Sequence, residues 1–305
     1  MTLQELKYVV AVADHLHFGR AAAACHVTQP TLSAGIANLE EELGWEIFER
    51  GSRLVMVADG AEHFIAQSRR VLTEASALDD LAHRSRPPLT GTFRLGAIPT
   101  VGPYVFPHVI GSLRAAHPDL VLHLKEEKTD DLVAALRNGS LDAALLSPPL
   151  AVSGLEEMKL YREDFHLALP AGHALGRKRR VKLADLRDEA LLLLDEGHCL
   201  RDQVVEFCSL PTNPVRELLR SSSLETLRSM VAAGVGCTLL PALAIGVVEG
   251  LSDQILIRSF SGRIPHREVC LYWRKGFTRR ESARLLGEIV GHHLPPAVSP
   301  LVFEV

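Results

Sequence analysis

The sequence predicts a multidomain α+β protein: a small helical head, one long connecting helix, and a two-lobed α/β body. Three observations predict it. Residues 3–43 hold apolar residues at helical spacing in three short segments. Residues 59–83 hold one unbroken helical stripe. Past a proline-containing break, short apolar runs alternate with helical segments. A chain of 305 residues, 47% hydrophobic and 23% charged, has the length and make-up of a globular protein with more than one domain.

In the head, Leu3, Leu6, Val9, Val10 and Ala13 mark a first helix over 3–15, and Phe18 to Cys25 a second, with its alanine run. A third begins after Thr28, a plausible N-cap, with Pro30 in the first turn, where proline is tolerated, and ends at Gly44. Helix, helix, short turn, helix is a helix-turn-helix. Its last helix would place Gln29, Thr31 and Ser33 at base edges and phosphates of a major groove. Residues 47–56 read as two short strands and a tight turn, a wing from which Arg50 and Arg53 could reach phosphates. The same pattern also fits a plain helical bundle with solvated polar positions. Charge does not decide between them. The net charge is −4, and residues 1–58 hold only Lys7, Arg20, Arg50 and Arg53 against seven acidic side chains.

Asp59 and Glu62 resemble a capping box that opens the long helix. Phe64, Ser68, Val71, Ala75, Leu78 and Ala82 alternate spacings of four and three, with Ile65 and Leu72 beside them. Such a seam needs a partner, most simply the same helix of a second subunit. Residues 84–91, with Pro87 and Pro88, form a linker. Strands at 93–98, 120–124 and 142–146, separated by helices at 104–115 and 130–138, imply a parallel sheet. A second set follows: strands at 166–169 and 190–194, a helix at 200–208, a helix at 224–233, Leu239–Pro241, a strand at 269–273 and a closing helix at 279–292. Two such lobes suggest a hinged clamp. The expected divisions are 1–58, 59–91 and 92–305, the last split into about 92–162 plus 268–305, and 163–267.

The stretch 194–208, LDEGHCLRDQVVEFC, holds Cys199 and Cys208. Cys199 falls at a predicted helix N-terminus, beside His198 and within reach of Arg201. These features lower a thiol pKa. On one continuous helix the two Cα atoms would lie roughly 13 Å apart, whereas a disulfide needs them within about 7 Å. Joining them would therefore unwind the segment. Equally, both thiols could be buried small hydrophobes, the ordinary role of an intracellular cysteine. Cys25, Cys237 and Cys270 sit in apolar contexts and read as packing. An odd, scattered set of five cysteines is no secreted disulfide framework. No signal peptide and no apolar run of membrane-spanning length is visible, so a soluble cytoplasmic protein is expected. His292 and His293 have no third ligand in view, so no metal is expected, and no cofactor.

The stretch HFGRAAAACHVTQPTLSAGIANLEEELGWEIFER resembles the LysR-type transcriptional regulators, and the resemblance extends over nearly the whole chain. It implies a winged helix-turn-helix, a linker helix and a two-lobed regulatory domain of periplasmic-binding-protein type. IPTVGPY at 98–104, GHCLRDQ at 197–203 with Cys208, SLETLRSMVAAG from 223 and TLLPALA to 244 are similar to the peroxide-sensing members of that family. That similarity implies that Cys199 is the peroxidatic cysteine and Cys208 the resolving one. It makes Thr100 and Thr129 pocket hydroxyls, with His198, Asp202 and Arg267 as polar partners. It gives Thr28, Gln29, Pro30, Thr31, Ser33, Arg50 and Arg53 to DNA. The implied partners are duplex operators, a second subunit through the linker helix, a homotetramer, RNA polymerase, and glutaredoxin or thioredoxin as reductant. Residues 209–222 and 246–266 depart from the pattern. Thr100 and Thr129 also read as helix caps. Two other functions stand beside this one. One is a LysR-type regulator that binds a small metabolite between its lobes. The other is a thiol peroxidase, disfavoured because a turnover enzyme needs no helix-turn-helix; no enzyme is expected.

Overall fold

The computed structural model describes residues 1–50, 55–82, 87–148, 150, 153–208, 220–246 and 253–301, with backbone alone at 50, 76, 77, 79–82 and 220. The chain divides into two compact units, Met1–Arg86 with Arg137–Ser140, and Pro87–Leu136 with Leu141–Val305.

The first unit opens with α1 (Leu3–His15), α2 (Phe18–Ala24) and α3 (Gln29–Leu43). Each start is fixed by a side chain. Thr2 and Glu5 form a capping box on α1, His17 Nδ1 accepts from Gly19 and Arg20, and Thr28 Oγ1 accepts from Thr31 N–H. Val9, Val12, Leu32, Ile36 and Leu39 are fully buried between the helices. Gly35 lets α3 approach α1, since a Cβ there would stand 2.8 Å from the Tyr8 ring. The wing is present as β1 (Phe48–Arg50) paired antiparallel with β2 (Val55–Val57). Glu40 ties it to α3 by accepting from Ile47 and Phe48 N–H. The turn of the wing, with Arg53, lies outside the described residues, as does the Arg50 side chain.

The long helix α4 spans Ala61–Ala82, 22 residues. It starts two residues later than expected, so Glu62 falls on its first turn but Asp59 stands one residue too early to be its N-cap. Ile65 and Ser68 are buried, and Phe64 and Leu72 pack on the head. Farther along the same stripe, Val71 (46% exposed) and Leu78 (67%) remain open.

In the second unit β3 (Gly91–Ala97), α5 (Gly102–Ala116), β4 (Leu120–Glu126), α6 (Thr129–Asn138) and β5 (Ala143–Leu146) form the expected parallel β-α-β-α-β run, with β3 between β4 and β5. Next comes β6, one strand from Leu155 to Pro170. Only its last residues were expected to be a strand. Its first half carries Glu156, Glu157, Lys159 and Arg162. A bulge opposite Val269 and Cys270 buries Leu160 and Tyr161 in succession and breaks the alternation. Two single helical turns and β7 (Arg180–Val181) follow, then β8 (Leu193–Leu194), shorter than expected, α7 (Cys199–Cys208), β9 (Arg220–Ser221) and α8 (Leu224–Ala232). The chain ends with β10 (Thr238–Pro241), α9 (Ala242–Ile245), β11 (Ile255–Phe260), β12 (His266–Arg274), α10 (Arg280–His292) and β13 (Ser299–Pro300).

The strand order is β4-β3-β5-β12-β6-β11-β7. Up to Asp164, β6 pairs with β12; from Phe165 it pairs with β10 and β11. The strand therefore carries the chain from one set of partners to the next, and Glu163 and Arg267 face each other as cross-strand partners at that changeover.

Candidate functional site

Cys199 is the first residue of α7, and Cys208 the last. Both thiols are free. The helix is held down by buried Leu200 and Val204 and by Phe207, whose ring meets Phe165 at 5.8 Å. Burial of the two aliphatic side chains alone resists unwinding by roughly 3–6 kcal/mol. Gly197, at φ +86°, makes the turn before the helix, and a Cβ there would press on the Lys128 stem. Lys128 Nζ closes the turn from the other side by donating to the Glu196 carbonyl at 2.8 Å.

Cys199 opens on a small cleft with Thr100, Thr129 and His198, flanked by Lys128 and Gly197. It is a narrow crevice, partly open to solvent, with less free space than a water molecule needs. The two threonines are not caps. Val101, not Thr100, precedes α5, and Thr129 is itself the first residue of α6. Thr100 Oγ1 accepts from Arg267 Nη1 at 2.8 Å, and its carbonyl from Nη2 at 2.8 Å. The Thr129 hydroxyl lies against the Cys199 sulfur and favours its thiolate, yet makes no hydrogen bond of ordinary geometry. His198 Nε2 is buried without a partner. Burial and the Lys128 charge lower the His198 pKa, so near neutral pH the imidazole is uncharged.

The electrostatics correct one expectation. His198 and Arg201 were to activate the thiol. The imidazole is neutral, and Arg201 donates to the Leu194 carbonyl at 3.3 Å. Burial instead holds the Cys199 thiol above its ordinary value, and Arg267 and then Thr129 pull it only part of the way back. Asp202, exposed on the first turn of α7, does not line the cleft and bears on the sulfur only by repelling negative charge. Cys208 is buried, which raises its pKa to about 11.

Arg267 is fixed by a residue the sequence reading missed. Glu163 Oε1 accepts from Arg267 Nε at 2.8 Å and pairs with Nη2 at 2.7 Å; both side chains are essentially inaccessible. The signal was legible: Glu163 alternates with Tyr161 and Phe165, both fully buried, so a charge sat on an apolar strand face. Gln203 was missed as well. It is buried on α7 and donates to Ser147 Oγ at 3.0 Å.

In the head, Thr28, Gln29, Pro30 and Thr31 are exposed at the start of α3, and Ser33 is half-buried one position beyond buried Leu32. The Thr28 and Thr31 hydroxyls share a hydrogen bond of 2.8 Å. Among the described residues, no cluster could hold a metal ion and no helix is long and apolar enough to cross a membrane. The other three cysteines lie apart from the cleft, Cys237 and Cys270 buried and Cys25 half-buried.

Residues 3–61 match the bacterial regulatory helix-turn-helix family of LysR type, and residues 86–295 match the LysR substrate-binding domain. The hydrogen peroxide-inducible genes activator of Dickeya chrysanthemi is 40% identical over 294 residues, 96% of each chain. The DNA-binding transcriptional dual regulator OxyR of Escherichia coli K12 is 40% identical over 290 residues, 95% of each. Among solved structures, a full-length OxyR cysteine-to-aspartate variant from Pseudomonas aeruginosa has a TM-score of 0.79 at 40% identity, covering 95% of this chain and 94% of that one. A hydrogen-peroxide-bound OxyR variant from Corynebacterium glutamicum has a TM-score of 0.66 at 33% identity, covering 96% and 92%. The helix-turn-helix head, the α/β body and these matches over nearly the full length together place the chain in the LysR family of transcriptional regulators.

Proposed function

We propose that this chain is a hydrogen-peroxide-sensing regulator in which Cys199 is the reacting thiol and Cys208 its resolving partner. The observation that carries the reading is the set of groups gathered at the cleft: one thiol, two hydroxyls and a neutral imidazole, with a buried guanidinium behind. Clefts for ordinary small metabolites hold about 300–1,000 Å³. This crevice has far less free space than that, which disfavours an ordinary metabolite here. The relatives named hydrogen peroxide-inducible genes activator, matched over 96% of this chain, support the same reading.

The chemistry follows from the groups present. The Cys199 thiolate attacks one peroxide oxygen; an S–O bond forms and the O–O bond breaks. Sulfur is oxidised by two electrons, and hydroxide leaves and is protonated to water. Thr100, Thr129 and Arg267 steady the departing oxygen. The sulfenic acid then condenses with the Cys208 thiol, releasing a second water and forming the disulfide. Condensation cannot occur across an intact α7, whose ends are roughly 13 Å apart. Cys208, with its pKa at about 11, is almost wholly protonated while buried. Once α7 opens and the thiol returns toward its ordinary value, its thiolate fraction rises about a hundredfold. Oxidation is thus ordered: Cys199 first, rearrangement next, Cys208 last. The segment 209–222, expected to rearrange, lies largely outside the described residues.

In this reading residues 1–58 bind duplex operators through Thr28, Gln29, Pro30, Thr31 and Ser33, with Arg50 and Arg53 on phosphates. Residues 59–91 pair two subunits along the uncovered Val71–Leu78 stripe, and 92–305 sense peroxide in two lobes. Tetramer formation, contact with RNA polymerase, reduction by glutaredoxin or thioredoxin and a cytoplasmic setting belong to the same proposal. Cys199→Ser should leave operator binding unchanged and abolish its response to peroxide, read by gel shift and transcription before and after a peroxide pulse. Normal induction in that variant would favour the metabolite-binding alternative.

A further inference from the structure

Among the residues that line the cleft, Thr100 is hydrogen-bonded to a buried ion pair. Its Oγ1 accepts from Arg267 Nη1 at 2.8 Å. A guanidinium has donors and no acceptor, so a hydroxyl that accepts from it keeps its own proton for another partner. For Thr100 that partner lies in the cleft. How well the hydroxyl is aimed depends on how firmly Arg267 is held. Arg267 is held by Glu163, whose Oε1 takes Nε at 2.8 Å, while Oε2 accepts from Leu243 N–H at 3.2 Å. Both acceptors of this carboxylate are therefore committed, at the point where β6 changes its strand partners.

We propose that Glu163 is a positioning residue of the peroxide reaction: it fixes Arg267 against Thr100, so that the Thr100 hydroxyl donates to the oxygen that leaves when Cys199 is oxidised. The inference rests on Cys199 being the reacting thiol. Glu163 also offsets the Arg267 charge. The groups that act on the sulfur are Arg267 from β12, Thr129 from α6, Asp202 from α7 and backbone of α7 itself. Lys128 and His198 share the cleft, and Tyr161 lies with Glu163 on β6, within electrostatic reach of Arg267.

Glu163→Gln separates these effects. The amide has one acceptor where two are needed, so either Arg267 or the Leu243 N–H faces an NH₂ group. The Arg267 charge is no longer offset, which favours the thiolate. The expected result in the full-length protein is a pair of opposite changes. Iodoacetamide labelling of Cys199 against pH should shift its midpoint downward. The second-order rate with hydrogen peroxide, read by dimedone trapping and mass spectrometry where the thiol is fully ionised, should fall about tenfold to a hundredfold. Glu163→Asp keeps the charge and draws the carboxylate back by one methylene. It should leave the labelling midpoint in place and still slow peroxide several-fold, so it reads positioning even if the glutamine variant does not fold. In a Thr100→Val background, Glu163→Gln should slow peroxide no further. Labelling and peroxide rates that fall together, or an undiminished effect without the Thr100 hydroxyl, would overturn the inference. A fast wild type matched by Glu163→Gln overturns it alone. A wild type in which Cys199 meets peroxide no faster than Cys25 overturns the sensing reading, and this inference with it.

Discussion

In the helical head, capping signals and tertiary structure agree, with Leu16 and His26 taking left-handed backbone at the helix ends as the exceptions. Thr2, His17 and Thr28 each meet first-turn amides, Glu40 satisfies the two N–H groups entering the wing, and Ile36 and Leu39 are fully buried where the sequence stripe puts them. Around Cys199 they disagree. Thr129 Oγ1, His198 Nε2 and Gln203 Oε1 are buried without ordinary hydrogen-bond partners, and a Glu–Arg pair sits in the interior. The head is shaped for stability in one form. The body holds buried polar atoms that a ligand or a second conformation would satisfy. A protein that violates its own local rules does so where function requires it.

The largest test of this contrast is Arg267→Met. Removing the cation leaves Glu163 charged and buried, which costs about 3–5 kcal/mol. Replacing both, as Glu163→Leu with Arg267→Met, removes both charges and should recover most of that loss, apart from the Leu243 N–H left without its acceptor. Urea unfolding followed by Trp273, buried in β12, in a Trp45→Phe background reports the body separately from the head. If the single variant is as stable as the wild type, the pair is not the interior strain described here. If the double variant is no better than the single, the pair contributes to stability rather than to the reaction.

How much of this was legible differs between the two regions for the same reason. The three head helices, their Thr28 cap and Gly44 stop could be read because each signal is local. The parallel β3–β5 run followed from alternation of type. What failed were features made by pairing across the chain. The first half of β6 was hidden by its charges and by a bulge that only β12 creates. Thr100 also reads as a cap from its neighbours, but α5 starts one residue too late for it, and its hydroxyl is held by Arg267, 167 positions away. The motif around Cys199 marked the thiol proposed to react, but not that Arg267, rather than His198 or Arg201, supplies the charge that favours its thiolate.

A smaller effect is expected where the head is tested by the same measure. Thr28→Ala removes a cap and the hydroxyl shared with Thr31. It should cost about 1 kcal/mol, typical of a lost N-cap. Trp45 fluorescence in a Trp273→Phe background reads it. A loss several times larger would mean that the head, like the body, depends on a network rather than on independent local contacts.

The smallest expected effect tests whether the far end of α7 is tuned for release. Burial raises the Cys208 pKa from 9 to about 11. The folded state therefore binds this proton more tightly than the unfolded chain. Its contribution to stability is complete below pH 9 and is lost as pH rises through about 11. At pH 9 the loss is already about half a kcal/mol. Between pH 7.5 and 9 the stability of the body should fall slightly more in the wild type than in Cys208→Ala, where the proton is absent in both states. Urea midpoints at the two pH values, compared as a difference of differences, isolate it from Cys270; the substitution also removes the repulsion by which Cys208 helps to raise the Cys237 thiol. Matching slopes would mean that Cys208 already titrates as an exposed thiol. The resolving step would then need no opening of α7 to make Cys208 reactive, and the order of oxidation proposed above would rest on distance alone.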